Sequence, residues 1–178
     1  FQAEDGIRDR DVTGVQTCAL PISWLSRGQG VRTAYLSATR GDGGQNLLGT
    51  ELFESLGVIR TEELLADRRL DNAQQFFTPN YEFGFSKTSA ETFEKWGHDK
   101  LLGDFVRVIR QFRPEIIISR FTGTPADGHG HHQAAGIISQ EAFKAAADAK
   151  LFPEYGKAWQ AKRSEEHTSE LQSHHDLV

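Results

Sequence analysis

The residues best suited to chemistry lie in one stretch, Thr122-Gly-Thr-Pro-Ala-Asp-Gly-His-Gly-His-His-Gln-Ala-Ala-Gly136. His129 and His132 are three positions apart, the spacing at which two side chains become neighbours once a helix has started. Neutral imidazole is a common zinc ligand, and the amino end of a helix favours developing negative charge. The pair could therefore hold a metal or act on an anionic intermediate. Spacing alone leaves a surface loop with polar histidines equally open, and it does not choose between hydrolysis and simple metal binding. His131, between them, is expected to point elsewhere.

A second stretch, Arg40-Gly-Asp-Gly-Gly-Gln-Asn46, sets glycines beside a cation and an acceptor. Arg40 and Asp42 could meet an oxygen-rich ligand that backbone N–H groups also approach, or the glycines could simply serve a tight turn. The stretch has neither the Lys-Ser/Thr ending of a P-loop nor the spacing of a dinucleotide fingerprint, so nucleotide binding is weakly supported. Arg60 and Glu63 read as an ion pair on a helix surface or as a substrate clamp. Residues 67–71 read as a solvated face, His98 as a surface residue and Trp96 as core.

These residues need a scaffold, and the periodicities supply an α/β layer fold. Trp24 to Arg27, followed by Gly28 and Gly30, resembles the last turn of a glycine-ended helix, and Val31 to Leu36 then reads as a strand. A glycine-rich loop follows over 39–46, with helical stretches over 51–56 and 60–74 and strand-like character over 76–85 interrupted by Pro79. Leu102, Phe105, Ile109 and Phe112 predict a helix over 91–112 that Pro114 stops. Ile116, Ile117 and Ile118 have no polar face, as expected of a strand covered by helices on both sides, parallel to Val31 to Leu36 in one sheet. Ala134, Ile138, Ala142 and Ala145 mark a further helix. The histidine loop thus lies between the carboxyl end of a strand and a helix, where open α/β sheets place ligands.

Composition narrows the classes. The chain has 178 residues, 38% hydrophobic and 25% charged, with a formal net charge of -5. No apolar run reaches the roughly 20 residues of a membrane span, and an acidic chain without a basic block is not built as a nucleic-acid binder. A single cysteine, Cys18, excludes a disulfide framework and a cysteine-based zinc finger. The excess acidity sits at the two ends, and between them basic and acidic residues balance.

Those ends resemble translated adapter sequence more than protein. Gln2 to Asp9 and Val12 to Ser23 are similar to the conceptual translation of one strand of a sequencing-library adapter, and Arg163 to Ser173 to that of the other. Codons for Arg10-Asp11 and for His174-His175-Asp176 can be chosen as reverse complements, as a sample barcode in such adapters would require. The resemblance implies that residues 1–23 and 163–178 are adapter-derived and that 24–162 is one incomplete domain. Leu20 and Leu171 are then expected to make few core contacts.

With the strand, the Gly-Asp-Gly-Gly loop, Arg60-Thr-Glu-Glu-Leu64 and Asp127-Gly-His-Gly-His-His-Gln-Ala-Ala-Gly136 in order, residues 24–162 resemble the PIG-L/LmbE family of zinc-dependent N-acetylglucosaminyl deacetylases. The resemblance implies an incomplete Rossmann-like parallel sheet with flanking helices, its first strand missing. In that family an Ala-His-Pro-Asp-Asp-Glu motif after the first strand supplies two zinc ligands and a general base, and a later His-x-x-His supplies the third ligand. His132 is thereby assigned to the metal, and His129 to stabilising the oxyanion or protonating the leaving amine. Arg40, Asp42 and Arg60 become substrate-binding candidates, and the substrate a small N-acetyl amino sugar conjugate. The implied reaction is metal-assisted amide hydrolysis in the intact parent. Nothing in this chain matches the first motif, so the chain itself is expected to bind zinc poorly and to be inactive. A noncatalytic Rossmann-like sugar- or nucleotide-binding module is the alternative.

Overall fold

The computed structural model describes residues 21–166, which fall into two compact units dividing between Gly84 and Phe85. In the first unit, residues 21–28 are helical and end in a π turn, Trp24–Gly28. The Gln29 N–H closes that turn on the Trp24 carbonyl, and Gly30 takes a φ of 65°, as a glycine-ended terminus requires. The first strand, β1 (Ala34–Ser37), starts later than the sequence predicts and pairs in parallel with β2 (Gln74–Phe77), Ala34 opposite Gln74 and Ser37 opposite Phe77.

Between these strands runs one helix, α1 (Glu54–Asp71), where the sequence predicts two stretches. Its last turn departs from the expected solvated face. Arg68 and Asp71 are 7% and 5% exposed, the Arg68 Nε donates to Asp71 Oδ1 at 3.1 Å, and the guanidinium lies 5.7 Å from the Tyr35 ring centre. A residue pair at i and i+3 shares one face of a helix, and here that face turns inward. The strand-like stretch after Phe76 is likewise shorter than expected, because regular pairing stops at Phe77, ahead of Pro79.

In the second unit, α2 (Ser89–Trp96) and α3 (His98–Phe112) replace the single helix expected over 91–112. The break falls at Gly97, whose φ of 77° ends one helix and starts the next. The Thr88 side chain caps α2 by accepting from the Glu91 N–H. Helix α3 buries Leu101, Phe105, Val106, Val108, Ile109 and Phe112; the predicted stripe holds at Phe105, Ile109 and Phe112, while Leu101 rather than the half-buried Leu102 continues it. Arg113 ends it in the left-handed region, just ahead of Pro114. Then come β3 (Ile116–Ser119), α4 (Gly130–Ala145) and β4 (Arg163–Glu166).

Two expectations about the sheet are corrected. Among the described residues β1 pairs with β2 and β3 with β4, so the strands expected to share one sheet stand in separate parallel pairs. The triple isoleucine is not covered on both sides either: Ile116 and Ile118 remain 54% and 52% exposed, while Ser119 is buried. Alternation sends successive side chains to opposite faces, and among the described residues Ile116 and Ile118 share the exposed one while Ser119 lies on the other. The β3–β4 ladder extends past Lys162, with Ile116 opposite Arg163 and Ser119 opposite Glu166. That pairing uses backbone groups alone, and the side chains of Arg163 and Ser164 stay exposed. Leu20 and Leu171 lie outside the described residues. No helix among the described residues is long and apolar enough to cross a membrane.

Candidate functional site

The loop between β3 and α4 is built around Asp127. Its carboxylate accepts from the backbone N–H groups of Thr122 (3.1 Å), Gly123 (2.8 Å) and Thr124 (3.2 Å) and from the Thr122 hydroxyl (3.2 Å). Thr124 and Asp127 form a capping box over the 3-10 turn Pro125–Asp127. The loop seats directly on α4, since a Cβ on Gly136 would overlap the Gly123 backbone nitrogen. At the start of α4 the Gly130 N–H donates to the Ser86 carbonyl at 2.7 Å, an approach so close that a Cβ on Gly130 would run into Ser86 and Thr88.

This frame brings His129 and His132 together, with ring centres 5.1 Å apart. His129 is the N-cap of α4 and only 5% exposed, with the Phe85 ring edge-on at 4.9 Å. Its Nδ1 accepts from the His131 N–H at 3.1 Å. A neutral imidazole has one donor and one acceptor nitrogen, so the His129 proton resides on Nε2. His132 is the reverse case. Its Nδ1 faces the Asp127 carbonyl at 3.4 Å, and a carbonyl only accepts, so Nδ1 carries the proton and Nε2 is bare.

The His132 ring lies flat on Phe121, with centres 4.1 Å apart and planes 7° from parallel. Burial pushes its pKa down to about 4, with the Asp127 carbonyl opposing and the neighbouring His129 and His131 adding to the shift. It is neutral at pH 7. His131 does not point clear of the pair as expected: its ring lies 4.5 Å from that of His129, and its other side packs on the buried Trp96, also at 4.5 Å.

Zinc centres in proteins use three or four protein donors. Among the described residues no group of three or more His, Cys, Asp and Glu side chains could hold a metal ion, and the Asp127 carboxylate is occupied by loop donors. His132 Nε2 has the form a ligand needs, but the described residues do not by themselves make a zinc site.

Arg40, Asp42 and Arg60 belong to the other unit, and each has a partner there. Arg40 donates to the Thr61 hydroxyl (3.1 Å) and lies 4.1 Å from the Phe77 ring centre. Asp42 accepts from the Glu82 N–H (3.1 Å), and Arg60 donates to the Gln45 carbonyl (2.7 Å). All three bonds hold the 40–46 loop to its surroundings. Sequence reasoning missed Asp127 and Phe121. The Thr124-x-x-Asp127 spacing is a capping signal that could have flagged the first; nothing in the sequence marks Phe121 as the platform for His132.

In this mixed α/β chain the polar cluster lies just beyond the carboxyl end of a parallel strand, the place where open α/β folds hold ligands. The family profile described as GlcNAc-PI de-N-acetylase matches residues 17–143, and the chain belongs to this PIG-L family. It is 35% identical over 68 residues to 1D-myo-inositol 2-acetamido-2-deoxy-alpha-D-glucopyranoside deacetylase 2 of Frankia casuarinae, a match covering 38% of this chain and 21% of that protein. Two solved structures share the fold. The conserved protein TT1542 from Thermus thermophilus superposes with a TM-score of 0.54 at 19% identity, covering 83% of this chain and 57% of that one. GalB, the 4-carboxy-2-hydroxymuconate hydratase from Pseudomonas putida KT2440, gives 0.59 at 20% identity, covering 82% and 57%. The chain thus spans little more than half the length of these solved structures.

Proposed function

We propose that this chain is part of a zinc-dependent hydrolase that removes the acetyl group from N-acetylglucosamine-type conjugates, and that it is inactive without the Ala-His-Pro-Asp-Asp-Glu motif of its family. The observation that carries the reading is that the two Nδ1 atoms meet opposite partners, a backbone N–H at His129 and a backbone carbonyl at His132. His132 offers a bare nitrogen, as a metal ligand must, and His129 holds an N–H, as a donor to a developing oxyanion must. Once protonated, His129 can also give its proton to the leaving amine. Zinc belongs to the intact parent, where His132 is one of its ligands. Arg40, Asp42 and Arg60 are proposed to bind the sugar conjugate. The proposed architecture is a Rossmann-like parallel sheet with flanking helices, whose first strand is not among the described residues.

Fold alone does not choose the reaction, since a protein named as a hydratase shares it. A second reading, a noncatalytic Rossmann-like sugar- or nucleotide-binding module, draws on the absence of a three-donor metal group among the described residues. The experiment replaces residues 1–23 with a first strand and Ala-His-Pro-Asp-Asp-Glu motif from a relative, then measures zinc stoichiometry and acetate release. The repaired chain should bind zinc and release acetate from an N-acetylglucosamine conjugate. His132→Ala should remove the metal, whereas His129→Ala should keep it and lose most turnover. Hydrolysis by the unrepaired chain, or full zinc retention by His132→Ala, overturns the proposal.

A further inference from the structure

We infer that Asp127 is a positioning residue, which sets the tautomer of His132 through its backbone carbonyl while its carboxylate holds that carbonyl in place. The inference rests on the proposed role of His132 as a metal ligand only for its consequence, not for its geometry.

The carboxylate is saturated from within the loop. A carboxylate accepts about four hydrogen bonds, and here the Thr122, Gly123 and Thr124 N–H groups and the Thr122 hydroxyl supply them. It is therefore not a group waiting for metal or substrate. What it fixes is its own main chain. The Asp127 carbonyl accepts from the His129 N–H at 2.8 Å and from His132 Nδ1 at 3.4 Å, so one oxygen orders both histidines. The second of these bonds is long and would be lost to a small movement of the loop.

The imidazole it meets has few other constraints. Phe121 holds the His132 ring plane, and Phe121 is itself anchored at β3, its N–H on the Ser119 hydroxyl and its carbonyl accepting from that hydroxyl. A flat aromatic contact fixes the plane but not which nitrogen carries the proton. The hydrogen bond to the Asp127 carbonyl does, as such partners do for metal-ligating histidines generally. His129 is locked by a different group, the His131 N–H. The two tautomers therefore answer to different parts of the loop, which makes the role of Asp127 separable from a general loosening.

The experiment is two-bond proton–nitrogen correlation NMR on the 15N-labelled full chain at pH 7, with His129 and His132 assigned from His129→Gln and His132→Gln. The expected result is Nδ1–H for His132 and Nε2–H for His129. In Asp127→Asn the carboxamide N–H₂ faces the Gly123 and Thr124 donors, so His132 should lose its preference for Nδ1–H by about fivefold to tenfold, the equivalent of one hydrogen bond, while His129 stays Nε2–H. Nε2–H for His132 in the wild type, or equal shifts of both histidines in the variant, overturns the inference. Should Asp127→Asn fail to fold, Thr122→Val removes one donor to the same carboxylate and should move His132 in the same direction, and no movement is again refutation. In the repaired chain, loss of the tautomer should weaken zinc about 10- to 100-fold. A tautomer shift with zinc affinity unchanged would instead retire His132 as a ligand and leave the role of Asp127 standing.

Discussion

Gly136→Ala inverts an ordinary expectation and so tests how the loop is mounted. In the interior of a helix, replacing glycine by alanine stabilises by about 1 kcal/mol. At Gly136 the added methyl would overlap the Gly123 nitrogen and stand 2.7 Å from the Gly123 Cα and 2.9 Å from the Phe121 carbonyl oxygen. These are backbone atoms, and Gly123 itself sits at a φ of 80°, so no side chain can rotate aside. Either α4 or the loop must move. Overpacking of this kind costs about 1–3 kcal/mol, and contact with backbone places it at the upper end. Subtracting the propensity gain leaves a net loss of about 2 kcal/mol. The measurement is urea unfolding of the wild type and Gly136→Ala, with the histidine correlation spectrum as a local readout. The variant should show a lower midpoint at an unchanged slope, and a displaced His132 signal because Phe121 moves with Gly123. Equal or greater stability would show that the loop and helix are not in backbone contact, and would remove the basis for the His132 geometry.

Other outcomes follow from buried charge. His132, with its pKa lowered to about 4 in the folded chain against about 6.5 unfolded, contributes stability that is full above pH 6.5 and declines as pH falls towards 4, by about 3 kcal/mol in all. His132→Gln should flatten that part of the pH–stability curve. His98 runs the other way. Its hydrogen bond to Asp99, with Glu141 at 2.9 Å, raises its pKa, so its contribution is present at low pH and lost as pH rises through the folded value; Glu141→Gln should lower that pKa in an NMR titration. Asp71→Ala strands the Arg68 guanidinium, which is 7% exposed, and should cost about 3–5 kcal/mol in denaturant unfolding. Arg110→Lys should also be strongly destabilising, because the Arg110 guanidinium donates to the carbonyls of Ala145, Ala146, Asp148, Leu151 and Phe152, more than three ammonium hydrogens can serve.

The helices were legible where apolar residues recur at spacings of three and four, as on α3, since burial of that stripe dominates local preference. Their ends were less so. Gly97 splits 89–112 because a left-handed backbone relieves a change of direction that no apolar pattern encodes, whereas α1 runs unbroken through Gly57, where an added Cβ would meet Asp42. Strand partners were not legible at all. Ile116 to Ile118 announce a strand, but pairing with residues 163–166 is made by backbone groups that every sequence carries. The Arg68–Asp71 pair reads as solvated for a similar reason: charge pattern does not say which way a helix face turns.

In the site, residue types and spacing pointed to His129 and His132, and the structure sets their rings side by side. Their difference in chemistry was beyond the sequence, because it depends on which backbone group each Nδ1 meets. His129 precedes the first helical residue, so the amide two positions on is still available to its own side chain. His132 is already in the first turn, where its side chain points back over the preceding loop and finds a carbonyl. A helix beginning one residue earlier would turn His129 into a helical residue and abolish its Nδ1 acceptor role. Gly128, at a φ of 73°, precedes His129 where the chain enters α4. The start of α4 thus fixes the donor role of His129 and the Asp127 carbonyl the bare nitrogen of His132, so a substitution in 122–128 can alter His132 without touching either histidine.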